Sequence, residues 1–361
     1  MLIFIYFFVI VLLSLYSLFV NRQKSVWILL FLCLFTFILT GIRWEYGGDW
    51  DVYLSYFKNI VDWDFQVPFE YGWVIFSTII KYVSDSYTLF QFLIASFIFY
   101  AVYHYIKELS PLPLISYMVY FSTTAADIGY VRSSVAVVIV LYSIVFVVKK
   151  SKLKFALCIL FASSLHLSAL VGFVLYPVFY CKIRYRYILL FFIINTLLFL
   201  KVGPMIFQSM SFLGDALYTK IQTYMEATEA GETFGSTITT ERAIIGHLIK
   251  KVFVLVFVLM YMRDIVKADM TFRGLFNIYI FSSIFYCAVF PVIREAAMRM
   301  CGYFECVDML IFAYILSNLK LLQNRIIFFI LLCLFSFFRL NSLVSGSSFH
   351  SNYHSVLTQI Y

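Results

Sequence analysis

Apolar runs long enough to cross a bilayer recur from one end of this chain to the other, separated by short polar breaks. They cover residues 2–20, 26–42, 71–83, 87–106, 112–126, 130–148, 155–180, 187–203, 243–262, 274–293, 300–318 and 326–344. A crossing helix needs roughly 17–25 predominantly apolar residues, so most runs predict one crossing each, and 71–83 and 112–126 are short for it. Nothing resembles the alternating pattern of a membrane barrel. The pattern predicts an all-α, polytopic integral membrane protein with about 10–12 transmembrane helices, some of them broken or re-entrant.

Two polar excursions interrupt the pattern, at about 43–70 and 204–242, and both are acidic. Neither is long and polar enough for a separate soluble domain, so residues 1–361 read as a single membrane domain. Lys and Arg mark cytoplasmic loops. Arg22 and Lys24 place the first short loop inside, so 43–70 faces outward; Arg263, Lys267 and Arg273, then Lys320 and Arg325, place their loops inside and 204–242 outside. The middle is harder, because Lys149, Lys150, Lys152 and Lys154 belong inside and so do Lys182, Arg184 and Arg186. Both clusters are satisfied if 112–126 dips in and returns and 155–180 forms a broken hairpin. That arrangement puts Arg132 on the outer side, near Arg43.

Composition agrees with the pattern. Hydrophobic residues make up 63% of the chain and charged residues 13%, about half the charged fraction of a soluble domain; mean hydropathy is +0.93. Residues 2–20 lack a basic start and a small-residue cleavage site, so they read as the first span rather than a signal peptide. The seven cysteines show neither CxxC nor Cys/His metal spacing and read as small core residues.

The chemistry concentrates where the second span ends, in GIRWEYGGDWDVY, residues 41–53. Arg43, Arg132 and Arg299 each sit at the edge of an apolar span, beside small or aromatic residues. A guanidinium binds phosphate through paired hydrogen bonds and keeps its charge. For one arginine, snorkelling to the headgroups explains the placement as well. Arg43 lies on the side where positive charge is disfavoured, which points to function; Arg294, with Glu295 beside it, is a weaker candidate. Asp49 is either a solvated loop carboxylate or a group that orients a sugar hydroxyl, and Asp51 is read as solvated. The DWD triplets at 49–51 and 62–64 mimic a metal-binding DxD, yet no nucleotide-binding domain is present, so no metal or cofactor is expected. His166 lies inside an apolar span, where an ionisable residue is a functional candidate; His104 and His247 are read as structural. Trp44, Tyr46, Trp50 and Tyr53 crowd one outward loop, with faces suited to stacking on pyranose rings.

These residues resemble the EpsG-like branch of the Wzy-type polysaccharide polymerases. That family carries an arginine, a Gly-x-Asp and a following tyrosine at the outer end of its second span, as Arg43, Gly47, Asp49 and Tyr53 stand here. Its Glu and Gly opening the third span match Glu70 and Gly72, its later arginine matches Arg132, and its histidine with small neighbours matches His166 and Ser168. Its arginine four residues before a Tyr-Phe pair matches Arg299, Tyr303 and Phe304. The family usually has Gln beside the later arginine, where Ser133 stands here.

The resemblance implies an enzyme of the bacterial cytoplasmic (inner) membrane. It would transfer a polyprenyl-pyrophosphate-linked oligosaccharide en bloc to the terminal sugar of another lipid-linked unit, at the outer face. Arg43, Arg132 and Arg299 would offset charge on the departing pyrophosphate, and Asp49 or His166 would position and deprotonate the acceptor hydroxyl. Trp44, Gly47, Tyr53, Glu70 and Tyr303 would bind substrate. Membrane lipid, a flippase and a chain-length regulator are the partners implied; nucleic acid is not. The rival readings are a transporter or flippase of lipid-linked oligosaccharides, against which stands the lack of a sequence repeat, and a related lipid-linked glycan ligase.

Overall fold

In a computed structural model the chain is an all-α polytopic membrane protein. The structure describes residues 2–47, 49–61, 69–125, 131–183, 269–345 and 354–358, with scattered positions between 219 and 266. The expected span at 187–203 lies outside the described residues, as does most of the 204–242 loop. The helices are α1 (Leu2–Ser17), α2 (Arg22–Gly41), α3 (Trp50–Lys58), α4 (Tyr71–Val83), α5 (Tyr87–Leu109), α6 (Pro113–Tyr120), α7 (Arg132–Val148), α8 (Lys152–Leu165), α9 (Leu175–Tyr180), α10 (Met270–Val289), α11 (Arg294–Glu305), α12 (Asp308–Asn318) and α13 (Leu322–Val344). A π-helical turn, Phe121–Ala125, extends α6, and a 3-10 helix, Leu167–Val174, follows α8. Two short strands, β1 (Arg43–Trp44) and β2 (His354–Ser355), pair antiparallel.

Among the described residues, five helical stretches are long and apolar enough to cross a membrane: Arg22–Gly41, Tyr87–Leu109, Met270–Val289, Ala296–Asn318 and Leu322–Val344. Large apolar side chains such as Phe8, Phe31, Leu331 and Phe338 point outward, as lipid contact requires and water would penalise. All seven cysteines are free; Cys33, Cys287 and Cys301 are buried, as small core residues should be, whereas Cys181 is exposed.

The chain forms two compact units, residues 1–173 with 308–361, and residues 174–307. In the first, side-chain contacts fix the direction of each helix. Arg22, at the start of α2, donates to the carbonyls of Lys107 and Ser110, so α2 and α5 are antiparallel. Lys149 pairs with Glu108 at 2.8 Å and Tyr142 packs on Tyr100, so α5 and α7 are parallel. Arg22, Lys107, Lys149 and Lys150 thus gather at one end, the basic end, while Arg43, Tyr87 and Arg132 lie at the other.

This arrangement corrects the expected path in one respect. Helix α4 has 13 residues, about 20 Å against the roughly 30 Å of a hydrocarbon core. It leaves from Glu70, beside Arg132, and its chain re-enters α5 at Tyr87, beside Trp50. It therefore begins and ends at the same end of the unit and does not cross. The crossing falls instead to α6: Leu114 receives a hydrogen bond from Ser14 and Phe121 packs on Tyr6, so α6 runs antiparallel to α1, away from the basic end. Every residue of α6 is buried. A helix enclosed by protein does not need a lipid-matched apolar length, so α6 can cross although it is short, whereas the shortness of α4 agrees with its not crossing. Arg132 still lands at the end where Arg43 lies.

The hairpin expected in 155–180 forms. Helix α8 stops at His166, whose backbone is extended, and the 3-10 helix folds back until Phe173 meets Phe155 at 6.1 Å. The second unit is built on α10. Asp269 caps it by accepting from the amides of Thr271 and Phe272, a standard way to satisfy first-turn donors. Asn277 donates to the carbonyls of Val178, Phe179 and Cys181, which α9 leaves unsatisfied at its end.

Candidate functional site

Five segments of the first unit bring polar side chains to the end opposite the basic one. The first is the stretch after α2. Arg43 is only 2% exposed. With the Gln91 amide turned so that its oxygen faces the guanidinium, Arg43 Nε donates to that oxygen at 3.2 Å and the Gln91 nitrogen donates back to the Arg43 carbonyl at 3.1 Å. Its guanidinium also faces the Trp50 ring at 5.9 Å. The backbone beside it is pinned by the C-terminal segment: Arg43 pairs with Ser355, Trp44 with His354, and the Val356 amide donates to the Ile42 carbonyl at 2.8 Å. Burying a cation costs several kcal/mol even after relaxation, so a chain that keeps one here has a use for it.

Residues 45–47 then turn the chain sharply. Glu45 has φ 49° and Gly47 φ 110°, a region that favours glycine. The turn brings Trp44 back onto Trp50 at 5.3 Å and starts α3 with Asp49 exposed at its N-terminus. Tyr46, Trp50 and Tyr53 are buried. Trp50 packs on Tyr87, and Tyr53 packs on Phe69 and Trp73. Half-buried Trp44 is the aromatic residue of this loop nearest to the surface.

Glu70 ties the remaining segments together. One carboxylate oxygen pairs with Arg132 at the start of α7. The other accepts from the Leu167 amide at 3.0 Å and faces His166 Nδ1 at 3.3 Å. One side chain thus joins the starts of α4 and α7 to the break after α8. Burial by itself would raise the Glu70 carboxyl, but the hydrogen bonds from His166 and Leu167 and the charge of Arg132 outweigh it and hold the group at about 2, against an ordinary 4.5. The Arg132 guanidinium also lies over the Phe69 ring at 4.9 Å. Gly72 lets α4 come this close: a Cβ there would lie 2.7 Å from the Ser164 carbonyl oxygen.

Tyr53 and Tyr87 together link the two arginines electrostatically. Tyr53 interacts with Arg132, Asp49 and Glu70, and Tyr87 interacts with both Tyr53 and Arg43. Burial raises the Tyr53 hydroxyl above its ordinary value, and Arg132 only partly counters this, so it serves as a neutral hydrogen-bonding group. The structure therefore brings together Arg43, Asp49, Tyr53, Glu70, Arg132 and His166. Arg299 and Tyr303 lie on α11 in the second unit, Arg299 exposed and Tyr303 buried. Gln91 is a participant the sequence reading missed; an amide buried in an apolar span was the available signal. The β2 segment carried no comparable signal.

The EpsG family model matches residues 26–355. The chain belongs to the EpsG family. The match runs from Val26 in α2 to β2, so it takes in Arg43, Asp49, Tyr53, Glu70, Arg132 and His166. EpsG membership associates the chain with polysaccharide polymerisation in a membrane. No curated protein and no solved structure matches it.

Proposed function

We propose that this EpsG-family protein polymerises polyprenyl-pyrophosphate-linked oligosaccharide repeat units at the outer face of a bacterial cytoplasmic membrane. The glycan of one lipid-linked unit passes en bloc to the terminal sugar of another. The observation that carries this reading is the pair of arginines, Arg43 and Arg132, held at the end of the first unit opposite Arg22, Lys107 and Lys149. Positive charge marks the cytoplasmic side, so the site end is the outer one, where lipid-linked repeat units are joined.

The leaving group is a diphosphate, and fixed cations in a poorly solvated setting stabilise the charge that develops on it. Arg43 contributes from within the fold. Arg132, with one arm on Glu70, presents its remaining donors. On the family pattern, Arg299 is proposed as a further catalytic cation and Tyr303 as a substrate-binding residue. Exposed Asp49 and the His166 turn orient the acceptor, and Trp44 and Gly47 border the sugar. Holding donor and acceptor together supplies much of the rate by removing translational freedom. A flippase delivering the substrate and a chain-length regulator are the protein partners proposed.

Deletion of the protein followed by gel analysis of surface glycan tests the reading. The expected result is collapse of the ladder to a single repeat unit, reproduced by Arg43→Ala and Arg299→Ala with the protein still in the membrane. Complete loss of surface glycan would instead indicate a flippase, and an unchanged ladder on deletion would refute polymerisation.

A further inference from the structure

The two arginines at the site end of the first unit are anchored by different chemistry. Arg132 is held by the Glu70 carboxylate, which fixes the guanidinium and offsets its charge. Arg43 is held by the Gln91 amide, on α5 and 1% exposed. Gly41, the last residue of α2, lies so close to the Phe92 ring that a Cβ would clash with it. That close approach of α2 to α5 brings the Arg43 backbone beside Gln91. The amide oxygen then accepts from Arg43 Nε at 3.2 Å while the amide nitrogen donates to the Arg43 carbonyl at 3.1 Å. The opposite amide orientation would set oxygen against oxygen and N–H against N–H, so the surroundings select this one. Tyr87, one turn earlier on the same helix, interacts with both the Gln91 side chain and Arg43.

We propose that Gln91 is a positioning residue for the transfer reaction and that its neutrality is the property the reaction uses, an assignment that rests on the polymerase reading above. One amide grips Arg43 at a side-chain nitrogen and at its own carbonyl, so side chain and backbone are locked together. A guanidinium locked in place before the reaction needs no reorganisation when charge collects on the diphosphate. This anchor adds no negative charge. Glutamate has nearly the same shape and would still accept from Nε, with a stronger, charge-assisted bond. In a poorly solvated setting, however, a carboxylate at this distance would cancel most of the field that Arg43 offers to a departing diphosphate. The site therefore combines one arginine anchored by a carboxylate, Arg132, with one anchored by an amide, Arg43.

The test uses membranes containing the full-length protein and the polyprenyl-diphosphate-linked repeat unit extracted from the deletion strain. Gln91→Glu is expected to unfold close to the wild-type temperature, because an ion pair to Arg43 replaces the amide bridge. It should nevertheless lower kcat about 10–100-fold with KM near wild type, as loss of an interaction used in the transition state does. A residue that only supports the fold would leave kcat unchanged in a stable Gln91→Glu protein, and that result would overturn the proposal. Should Gln91→Glu fail to accumulate, a double-mutant cycle decides. Gln91→Ala is expected to lower kcat about 10-fold or more in the wild-type background. In an Arg43→Lys background, where no Nε is present to be held, the same change should cost less than about 3-fold. Equal factors in the two backgrounds would show that Gln91 acts through some other part of the fold and would overturn the proposal. A ladder that survives deletion of the whole protein refutes the polymerase reading. Collapse on deletion with wild-type kinetics in Gln91→Glu refutes the positioning role alone.

Discussion

Replacing Glu70 should separate the part of the site that holds the fold together from the part that does chemistry. Its carboxylate receives three interactions, from Arg132, His166 and the Leu167 amide. Hydrogen bonds to charged groups contribute about 1.5–3 kcal/mol each, and a half-buried arginine left without its partner carries an added desolvation cost. Glu70→Ala is therefore expected to destabilise the first unit by about 3–5 kcal/mol. Glu70→Gln keeps the shape and an acceptor for Leu167 but loses the charge, for a cost of about 1–3 kcal/mol. Thermal unfolding of the detergent-solubilised protein measures both.

The pH dependence adds a second check. The Glu70 carboxyl is held at about 2 in the folded protein, below its ordinary 4.5. A depressed carboxylate contributes stability that is fully present above the ordinary value and is lost as pH falls toward the folded one. The gap in unfolding temperature between wild type and Glu70→Gln should hold steady from pH 5 to pH 8 and shrink on acidification from about 4.5 to about 2. A Glu70→Ala protein that unfolds with the wild type, or a gap that does not change below pH 4.5, would refute the keystone role.

Three further outcomes follow from the same geometry. Gly72→Ala should destabilise by about 1–3 kcal/mol and shorten the glycan ladder, because the new methyl meets the Ser164 backbone carbonyl as well as the Ser164 side chain, and turning the hydroxyl away does not relieve the first. Truncation after Ser345 removes the strand that pairs with Arg43 and Trp44; the protein should still reach the membrane, since α13 is intact, but polymerise at least several-fold more slowly, and wild-type ladders would dismiss this support. In a background stripped of native cysteines, Asp49→Cys should react with an impermeant maleimide from outside intact cells and Lys150→Cys only after lysis. Labelling of both from one side would overturn the assignment of ends.

Much of the architecture was legible because lipid imposes a length and a polarity on any helix that faces it. That rule located α2, α5, α10 and α13, and the basic side chains at Arg22 and Lys149 set the orientation of the ends. The same rule failed at α6, where protein rather than lipid surrounds the helix and length no longer reports crossing. Arg43, Arg132, His166 and Glu70 were visible as charges out of place in apolar sequence. What they do to one another was not, because contacts across 62 and 96 residues leave no periodic trace.

By itself, then, the sequence determined that this chain lives in a bilayer and which ionisable groups are expensive enough to matter. Only the tertiary structure decided that Glu70 links Arg132 to the His166 turn, that Gln91 holds Arg43, and that residues near the C-terminus close against the second span. The physical reason is range. Hydropathy acts residue by residue along the chain, whereas an ion pair or an amide bridge forms only when helices far apart in sequence are packed side by side.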